Sequence, residues 1–409
     1  MKKLLIVGFV YPEPDSSAAG RRMLEIISFF KEKGYQISFA STARESEFST
    51  DLSDIGVDVY KIVLNDPSFN KFILQLLPDI VLFDRFMTEE QFGWRIAKYC
   101  PDAIRVLDTE DLHFLRHARE NAYRENNEIN LISDVTKREI ASIFRCDLTL
   151  IISEFEMALL KNIFKIPESL LVYFPFISSH VLNSASPDLP LFQNRSHFIS
   201  IGNFRHAPNK SAVIELKKHI WPVLRRELPE AQLHIYGAYC NQHITNFTNT
   251  AENFIVKGRA DSATRVMQHA RAYLAPLRFG AGLKGKLLEA MESGLPGVTT
   301  SIGAEGMMDN LKWNGFVADD TRDFIAAAVK IYTDEETWKA SVSKGFQISR
   351  EKFDRTINYQ RLSDKLHSIT GDLESHRTNN FTGAMLMHHS MQSTRYLSKY
   401  IELKNKTLK

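Results

Sequence analysis

The sequence predicts an α/β protein made of two doubly wound domains, one after the other along the chain. Between residues 3 and 173, short apolar runs alternate with amphipathic stretches, which is typical of parallel strands connected by helices. The alternation stops over residues 178–196, where serines, prolines and asparagines prevail, and it resumes at residue 197. We therefore predict a first domain over residues 1–177, a linker over residues 178–196 and a second domain over residues 197–352.

The first domain begins with a strand, a helix and a second strand. Residues 3–10 are apolar, and after a loop with two prolines an apolar stripe predicts a helix over residues 21–33. Gly34 ends this helix before a strand over residues 35–41. Such a unit places its loop at the carboxyl edge of the sheet, where open α/β folds bind ligands. Further strands are predicted over residues 58–64, 79–83, 103–107, 147–153 and 170–173, and helices over residues 89–99, most of 110–145, and 154–164.

The second domain repeats the alternation of strands and helices. Its strands are predicted over residues 197–202, 232–236, 254–256, 273–276, 297–301 and 315–317. Its helices are predicted over residues 212–226, 261–270, 287–293 and 321–333.

Two further parts follow the second domain. We expect a helix over residues 353–370 that packs back on the first domain. Residues 371–409 form a basic extension for which two interpretations stay open. The extension is partly disordered, as chain ends commonly are, or a helix within residues 390–403 binds a partner or an anionic membrane surface. Its basic end consists of Lys399, Lys404, Lys406 and Lys409.

The composition argues against several classes of protein. The 409 residues include 44% hydrophobic and 24% charged residues, as in globular proteins of two domains. A net charge of +2 gives no support for nucleic acid as the partner. Cys100, Cys146 and Cys240 are too far apart for a C-x-x-C pair, which indicates a reducing compartment. The first residues, MKKLLIV, are followed by no small-residue cleavage site, and no stretch reaches the roughly 20 apolar residues of a membrane span. A cytoplasmic location is expected.

The most informative stretch is APLRFGAGLKGKLLEAMESGLPGVTTSIGAEG, which runs from residue 275 to residue 306. It predicts the end of a strand, a glycine loop, a helix and another strand. Glycines let backbone amides approach a ligand closely, and the start of the helix adds a partial positive charge. Three cations stand in the same loop, namely Arg278, Lys284 and Lys286. The pattern predicts a binding site for a diphosphate.

These residues resemble the nucleotide-sugar signature of retaining GT-B glycosyltransferases of the family-4 type, also called glycosyl transferases group 1. The family pattern is approximately P-L-R-x-G-x-G-x-K-x-K-x-x-E-A-x-x-x-G-x-P, then a strand, then G-x-E-G. The resemblance extends over residues 3–369 and is strongest in the second domain. It implies two Rossmann-like domains that face a central cleft and a nucleotide-diphosphate sugar as the donor substrate. No Asp-x-Asp motif follows a strand, so we expect no metal and no cofactor.

The resemblance also implies roles for individual residues. Arg278 and Lys284 would act as catalytic groups on the leaving diphosphate, and His113, which follows a strand, would contact the donor sugar. Glu289 would bind the ribose, and Arg259 would lie near the base. The complete set expected to bind donor and nucleotide is Gly202, Arg205, Lys210, Arg259, Gly280, Gly282, Lys286, Leu287 and Glu289. The N-terminal loop expected near the phosphates and the acceptor contains Ser17, Ala19 and Gly20, although a plain turn with a helix cap stays an alternative.

The sequence departs from the family pattern at two positions. Ala281 stands where the family has the first glutamate of a Glu-x7-Glu pair, and Asn203 stands where many relatives have an arginine. The roles of Asp108 and Asp111, beside the expected His113, also stay open, since either carboxylate could cap the next helix.

We therefore predict a retaining glycosyltransferase that transfers a sugar from a nucleotide-diphosphate sugar to a glycan, a lipid-linked or another acceptor. The family's most frequent setting is the synthesis of bacterial surface polysaccharide, in the cytoplasm or at the inner face of the membrane. Two alternatives are a nucleotide-sugar 2-epimerase with the same fold, and a non-catalytic module, which the two departures motivate. A dehydrogenase is disfavoured because the first βα loop lacks G-x-G-x-x-G.

Overall fold

Seven parallel strands form the first sheet. The structure, a computed structural model, describes residues 1–178 and 189–407, without the side chains of residues 389–391. The strands are β1 Lys3–Gly8, β2 Gln36–Ser41, β3 Asp58–Lys61, β4 Ile80–Asp84, β5 Ile104–Asp108, β6 Leu148–Ile151 and β7 Leu171–Tyr173. Their order across the sheet is β3-β2-β1-β4-β5-β6-β7. Six of these strands are almost entirely buried because helices cover both faces, which is typical of parallel sheets, whereas the edge strand β3 is mostly exposed.

Six helices connect these strands. They are α1 Ala18–Glu32, α2 Ser68–Leu76, α3 Phe86–Tyr99, α4 His113–Glu125, α5 Asp134–Arg145 and α6 Glu154–Asn162. Side-chain caps fix where several of them begin: Ser17 accepts a hydrogen bond from the amide of Gly20, and Ser153 accepts one from the amide of Glu156. The region predicted to be mostly helical over residues 110–145 contains two helices, α4 and α5, because α4 ends at Glu125 and Ser133 caps the start of α5.

Six parallel strands form the second sheet. They are β8 Ser196–Ile201, β9 Leu233–Tyr236, β10 Phe254–Gly258, β11 Ala270–Ala275, β12 Gly297–Thr299 and β13 Gly315–Val317. Their order is β10-β9-β8-β11-β12-β13, which repeats the winding of the first six strands of the first sheet. The helices that accompany them are α7 Ala207–Glu215, α8 Trp221–Glu227, α9 Gln242–Thr245, α10 Ala263–His269, α11 Gly285–Glu292, α12 Ser301–Ala304, α13 Thr321–Thr333 and α14 Glu335–Lys352. The predicted fold class, two doubly wound α/β units, is confirmed.

The chain then returns to the first sheet. Helix α15, Arg355–Gly371, buries Tyr359, Leu362 and Leu366 in a core that also contains residues of β1 and α1. The hydroxyl of Tyr359 donates to the carbonyl oxygen of Glu25 in α1 at 3.1 Å. The part of the expected linker over residues 179–188 lies outside the described residues, and the exact limits of the domains stay a prediction.

The C-terminal extension is helical and packs on the first domain, so its interpretation as a partly disordered segment is wrong. It forms α16, Leu373–Thr378, and α17, Phe381–Thr407. Arg377 binds both carboxylate oxygens of Asp147 at 2.8 Å, and Arg95 in α3 binds Glu402 and Ser398 in α17. The contacts of Arg95 hold one face of α17 against α3, and α17 also packs on α5. Local sequence patterns do not reveal this packing. No helix in the two described ranges has the length and apolar character that a bilayer span requires.

Candidate active site between the two sheets

The carboxyl ends of the two sheets face each other across a cavity of about 220 Å³. Each sheet changes its winding direction once, between β1 and β4 and between β8 and β11, and loops after these strands form much of the walls. Open α/β sheets bind ligands in the crevice that such a change leaves. The wall from the first domain includes Ser17, Ala19, Arg85, Glu110, Asp111 and Arg116. The wall from the second domain includes Gly202, Asn203, Tyr236, Tyr273 and residues 279–287.

The glycine loop between β11 and α11 forms one side of this cavity. Gly280 has a φ of 148° and Gly282 a φ of 63°, and residues with a side chain rarely adopt such values. Helix α11 begins at Gly285, and its first residues belong to the wall. The amides of a first helical turn have no carbonyl partner inside the helix and lie at the positive end of the helix dipole. The start of α11 therefore offers an anion-binding edge to the cavity.

Lys284 and Lys286 supply formal positive charge to the same wall. The ammonium group of Lys284 donates to the carbonyl oxygen of Gly282 at 2.7 Å. Burial lowers the pKa of Lys284 to about 8, and Glu305 opposes this change by favouring the charged form. The side chain of Lys286 forms an ion pair of 2.8 Å with Glu289. Lys284 therefore stays cationic at neutral pH, and Glu289 is joined to the cavity wall through Lys286.

Two glycines of the loop also let the second domain come close to the first. A Cβ atom added to Gly282 would lie 2.8 Å from Cβ of Asp111, and one added to Gly285 would lie 2.8 Å from Cβ of Ala18. Carbon atoms that are not bonded attract one another best at about 3.5–4.0 Å. A side chain at either position would force the two domains apart. These glycines therefore serve the contact between the domains as well as backbone access to a ligand.

Arg119 and Glu156, both from the first domain, hold the glycine loop by polar contacts. The guanidinium group of Arg119 makes two parallel hydrogen bonds of 2.7 Å to the carboxylate of Glu305 and donates to the carbonyl oxygen of Gly280 at 2.8 Å. The carboxyl group of Glu156 accepts a hydrogen bond of 2.9 Å from the amide of Gly282. Burial raises the pKa of Glu156 to about 7. The loop is thus fixed from the opposite domain.

The wall of the first domain contains strained backbone at two neighbouring strand ends. Arg85 follows β4 with a φ of 70°, and Glu110 follows β5 with a φ of 62°. The amide of Arg85 donates to the carbonyl oxygen of Asp108 at 2.8 Å, which joins the two strand ends. Such left-handed residues concentrate at functional sites. Arg85, Glu110 and Arg116 were not among the residues predicted for the site, although the position of Arg85 and Glu110 just after a strand could have indicated them.

His113, predicted to contact the sugar, does not line the cavity. It is the first residue of α4, and its ring packs edge-on against Phe86. Burial lowers the pKa of His113 to about 3, so its ring stays neutral. Its Nε2 lies 3.7 Å from a carboxylate oxygen of Asp111, which itself belongs to the wall. The residue that reaches the cavity from this strand end is Glu110.

Arg278 also lies outside the cavity wall, so the structure does not bring it together with Lys284 and Lys286. Its guanidinium group pairs with the carboxylate of Glu215, and the two residues line a separate pocket. Phe279 and Gly280, which follow it, line the cavity instead. The carboxylate of Glu215, which is 7% exposed, attracts the arginine away from the cavity.

Three other predicted cations are not part of the cavity wall. Arg205 lies over the ring of Tyr239 at 3.4 Å, and Arg259 lies over the ring of Phe48 at 4.5 Å. Among the described residues that line the cavity, Lys210 does not appear either. Aromatic faces attract guanidinium groups. These contacts hold Arg205 and Arg259 to aromatic rings at a junction of the two domains.

The remaining predicted residues lie in or directly behind the wall. Gly202 and Leu287 line the cavity, as do Ser17 and Ala19. Gly20 lies behind them, where a Cβ atom would come within 2.4 Å of the backbone of Glu13. Asn203, at the position where an arginine was expected, lines the cavity and donates to the carbonyl oxygen of Ser16 at 3.2 Å. This hydrogen bond joins the two domains, so Asn203 holds the N-terminal loop in place.

Comparisons with known proteins agree with this geometry. Residues 195–334 match the family model described as "Glycosyl transferases group 1". No curated protein sequence matches the chain. The fold is similar to that of S. aureus TarM in a complex with fondaparinux, alpha-GlcNAc-glycerol and UDP, at 10% identity and a TM-score of 0.69 over 89% of this chain and 99% of that chain.

Two other solved structures have the same fold. Sucrose-phosphate synthase from Thermosynechococcus elongatus is 11% identical, with a TM-score of 0.66 over 91% of this chain and 100% of its own. Anabaena HepE in complex with UDP and glucose is 13% identical, with a TM-score of 0.64 over 90% of this chain and 100% of its own.

The two facing sheets, the cavity between them and these comparisons define a glycosyltransferase of the GT-B class. The match to the glycosyl transferases group 1 covers residues 195–334, which lie largely in the second domain.

Proposed function

We propose that this protein transfers a sugar from a nucleotide-diphosphate sugar to an acceptor with retention of the anomeric configuration. The observation that carries the proposal is the wall formed by the start of α11 with Lys284 and Lys286. Helix amides and buried ammonium groups are suited to an anion. Structures of similar fold hold UDP, which supports a nucleoside diphosphate as the ligand.

In the proposed reaction, negative charge grows on the diphosphate as the glycosidic bond breaks. Lys284, Lys286 and the amides of the first turn of α11 stabilise this charge, and they need no rearrangement because the loop is already held by Arg119 and Glu156. Glu289, next to Lys286, binds the ribose. Contact between the domains excludes water and so limits hydrolysis of the donor. The proposed reaction uses neither a metal ion nor a cofactor.

For the acceptor we propose a glycan or a lipid-linked glycan of a bacterial surface polysaccharide. The solved structures of similar fold include a lipopolysaccharide outer core galactosyltransferase, WaaB, which supports this setting. The proposed location is the cytoplasm and its membrane face.

A panel of nucleotides tests the donor part of the proposal. UDP, GDP, ADP, TDP and their common sugar conjugates are added to the purified protein, and the melting temperature is measured. A ligand that binds only the folded state raises that temperature in proportion to the logarithm of its concentration over its affinity. We expect one nucleotide to stabilise the protein, and Glu289→Ala to remove most of the shift. Glu227→Ala, an exposed glutamate at the end of α8, is the control and should keep it. No shift with any nucleotide would contradict the proposal.

Retention is tested separately, once a donor is known. The anomeric configuration of the product formed with an acceptor is read by NMR and compared with that of the donor. An inverted product would contradict a retaining reaction while leaving the donor assignment intact.

Helix α17 supports the proposed place at the membrane. The face turned away from α3 and α5 presents four apolar side chains that are between 60% and 64% exposed, Tyr396, Leu397, Tyr400 and Leu403. Exposed lysines accompany them, Lys399, Lys404 and Lys406. A helix with exposed aromatic and aliphatic side chains beside lysines is suited to the surface of an anionic bilayer.

Vesicle flotation tests this surface. We expect the protein to float with vesicles of phosphatidylcholine and phosphatidylglycerol, to bind vesicles of phosphatidylcholine alone far less, and to be released by salt. The double substitution Leu397→Ser and Leu403→Ser should abolish flotation. Leu191→Ser, at a leucine that is 60% exposed in another part of the chain, should leave it unchanged. Self-association through this face, without vesicle binding, would contradict the membrane assignment.

A further inference from the structure

Around the cavity, the acidic side chains of the described residues have partners within the protein, with the exception of Glu110. The carboxylate of Asp111 binds Arg116 at 2.6 Å, and Glu289 binds Lys286. Behind the wall, Asp108 binds Arg22 at 2.8 Å. Glu110 lines the cavity, yet within residues 1–178 and 189–407 its side chain makes no hydrogen bond and no ion pair. The carboxyl oxygens of Glu110 are not among the enclosed atoms that lack a hydrogen-bond partner, so they are open to the cavity and available to a ligand.

The backbone conformation of Glu110 is unfavourable. Its φ of 62° belongs to the left-handed region, where side chains other than those of asparagine and aspartate are uncommon. Glycine would adopt this conformation at lower cost. The position therefore keeps a glutamate although the backbone conformation opposes it. Features of this kind cluster at sites that contact a ligand.

The opposite wall indicates what this carboxyl group can contact. The glycine loop, Lys284 and Lys286 offer a diphosphate its partners on the second domain. A sugar attached to that diphosphate then extends into the remaining space, which the first domain encloses. On the second domain, residue 281 is an alanine that lines the cavity, so its methyl group offers no hydrogen bond. Sugar hydroxyls both donate and accept hydrogen bonds, which a carboxyl group can match.

We propose that Glu110 binds hydroxyl groups of the donor sugar from the first domain and so contributes to the choice of sugar. This inference rests on the proposed function, since it requires a nucleotide sugar in the cavity. It replaces the contact first expected from His113, which lies outside the wall.

The charges around Glu110 are compatible with this role. Burial and the neighbouring carboxylates of Asp108 and Asp84 raise its pKa well above the usual value, while Arg85 and Arg22 oppose this change. The raised pKa favours the protonated form, in which the group donates one hydrogen bond and accepts another, whereas the ionised form only accepts.

The test compares the affinity for a nucleoside diphosphate with the affinity for the same diphosphate carrying glucose. The probes are UDP, GDP, ADP and TDP with their glucose conjugates, measured by calorimetry without an acceptor. The variants are Glu110→Gln, which keeps hydrogen-bonding capacity, and Glu110→Gly, which removes it. Glu128→Gln, at an exposed glutamate in the loop after α4, is the control.

In the wild-type protein we expect the glucose conjugate of one nucleotide to bind more tightly than the diphosphate alone. Glu110→Gly should reduce this advantage by about tenfold, because a hydrogen-bonded carboxyl group contributes roughly that much. Glu110→Gln should keep part of the advantage, and Glu128→Gln should keep all of it. The diphosphate alone should bind equally to all four proteins. The melting temperature of Glu110→Gly should equal or exceed that of the wild type, whereas a structural glutamate would lower it when replaced.

Each outcome separates the inference from the proposed function. If no nucleotide binds the wild-type protein, both are overturned. If glucose adds no affinity, or adds the same affinity in the wild type and in both Glu110 variants, the inference is overturned and the proposed function stands. A loss of affinity for the diphosphate itself in Glu110→Gln, or a marked fall in its melting temperature, would also overturn the inference.

Discussion

Replacing Lys284 with alanine is expected to reduce sugar transfer by a factor on the order of 10²–10³, the range found when one preorganised group is removed from a developing charge. Lys284 is a partly buried cation of the cavity wall, next to the first turn of α11. Its charge would act on the leaving diphosphate without reorganisation of solvent. The measurement is kcat/KM with the donor identified by the nucleotide panel.

Arg278→Ala is the matched control for this substitution. It also removes a cation from the glycine loop, but Arg278 pairs with Glu215 outside the cavity. We expect kcat/KM of this variant to stay within about threefold of the wild type, since Arg278 is not part of the cavity wall and does not face the leaving group (a threefold change is about 0.6 kcal/mol). Equal losses in both variants would contradict the assignment of charge in the cavity, and an unchanged rate in Lys284→Ala would contradict the proposed mechanism.

The lowered pKa of Lys284 predicts that kcat/KM depends on pH. Its pKa is lowered to about 8, so the free enzyme carries the charge below pH 8 and loses it as the pH rises above that value. The logarithm of kcat/KM should therefore fall on the alkaline side of about pH 8, and this fall should be absent from the residual rate of Lys284→Ala. In the unfolded chain the lysine titrates near its usual value of about 10.4, so above pH 8 the folded state gains stability from this group as the pH rises.

Replacing Arg22 with alanine is expected to lower the free energy of unfolding by about 3–5 kcal/mol, because it leaves a buried charge without its partner. Arg22 in α1 and Asp108 at the end of β5 are both 0% exposed, and their shortest contact is 2.8 Å. Arg22 also donates to the carbonyl oxygen of Phe174. The pair therefore joins α1 to the strand end that carries Glu110. Urea unfolding of the variant measures the loss.

Two further variants show whether the stability lost in Arg22→Ala comes from the burial of the ion pair and from the charge that is left unpaired. Arg138→Ala removes an arginine from an ion pair with Glu90 in which the arginine side chain is 52% exposed, and it should cost about 1 kcal/mol or less. Combining Arg22→Met with Asp108→Asn removes both charges of the buried pair and should recover part of the stability lost in Arg22→Ala. A small effect of Arg22→Ala, similar to that of Arg138→Ala, would show that water reaches the pair.

The regular elements of the fold were largely predictable from local patterns. The strand, helix and strand at residues 3–10, 21–33 and 35–41 were predicted within a few residues of their observed limits. Helix α14 was not predicted, although Trp338, Val342 and Phe346 recur every four residues. Helix α2 was not predicted either, because its nine residues are too few to show a clear helical period. Local periodicity therefore predicts long elements better than short ones.

The candidate site was predictable in part, and the errors have a common cause. The glycine loop, Lys284 and Lys286 lie at the cavity because they are close to one another in sequence and belong to one strand, loop and helix unit. His113 and Arg278 carry suitable groups at suitable positions, but buried partners hold their side chains elsewhere. Glu110 was not predicted as a site residue: its position just after a strand was a signal, but its lack of a side-chain partner is recognised only from the tertiary structure.

Hydrophobic alternation, the glycine loop and its lysines were sufficient to predict two doubly wound domains and a diphosphate site between them, because these features depend on residues close together in the chain. Contacts between distant segments determined the rest. They place Glu110 rather than His113 in the wall, bring Asp111 and Ala18 against glycines of the other domain, and hold α17 on α3 and α5. Such contacts depend on how two separately folded sheets pack, and no local period in the sequence records that packing.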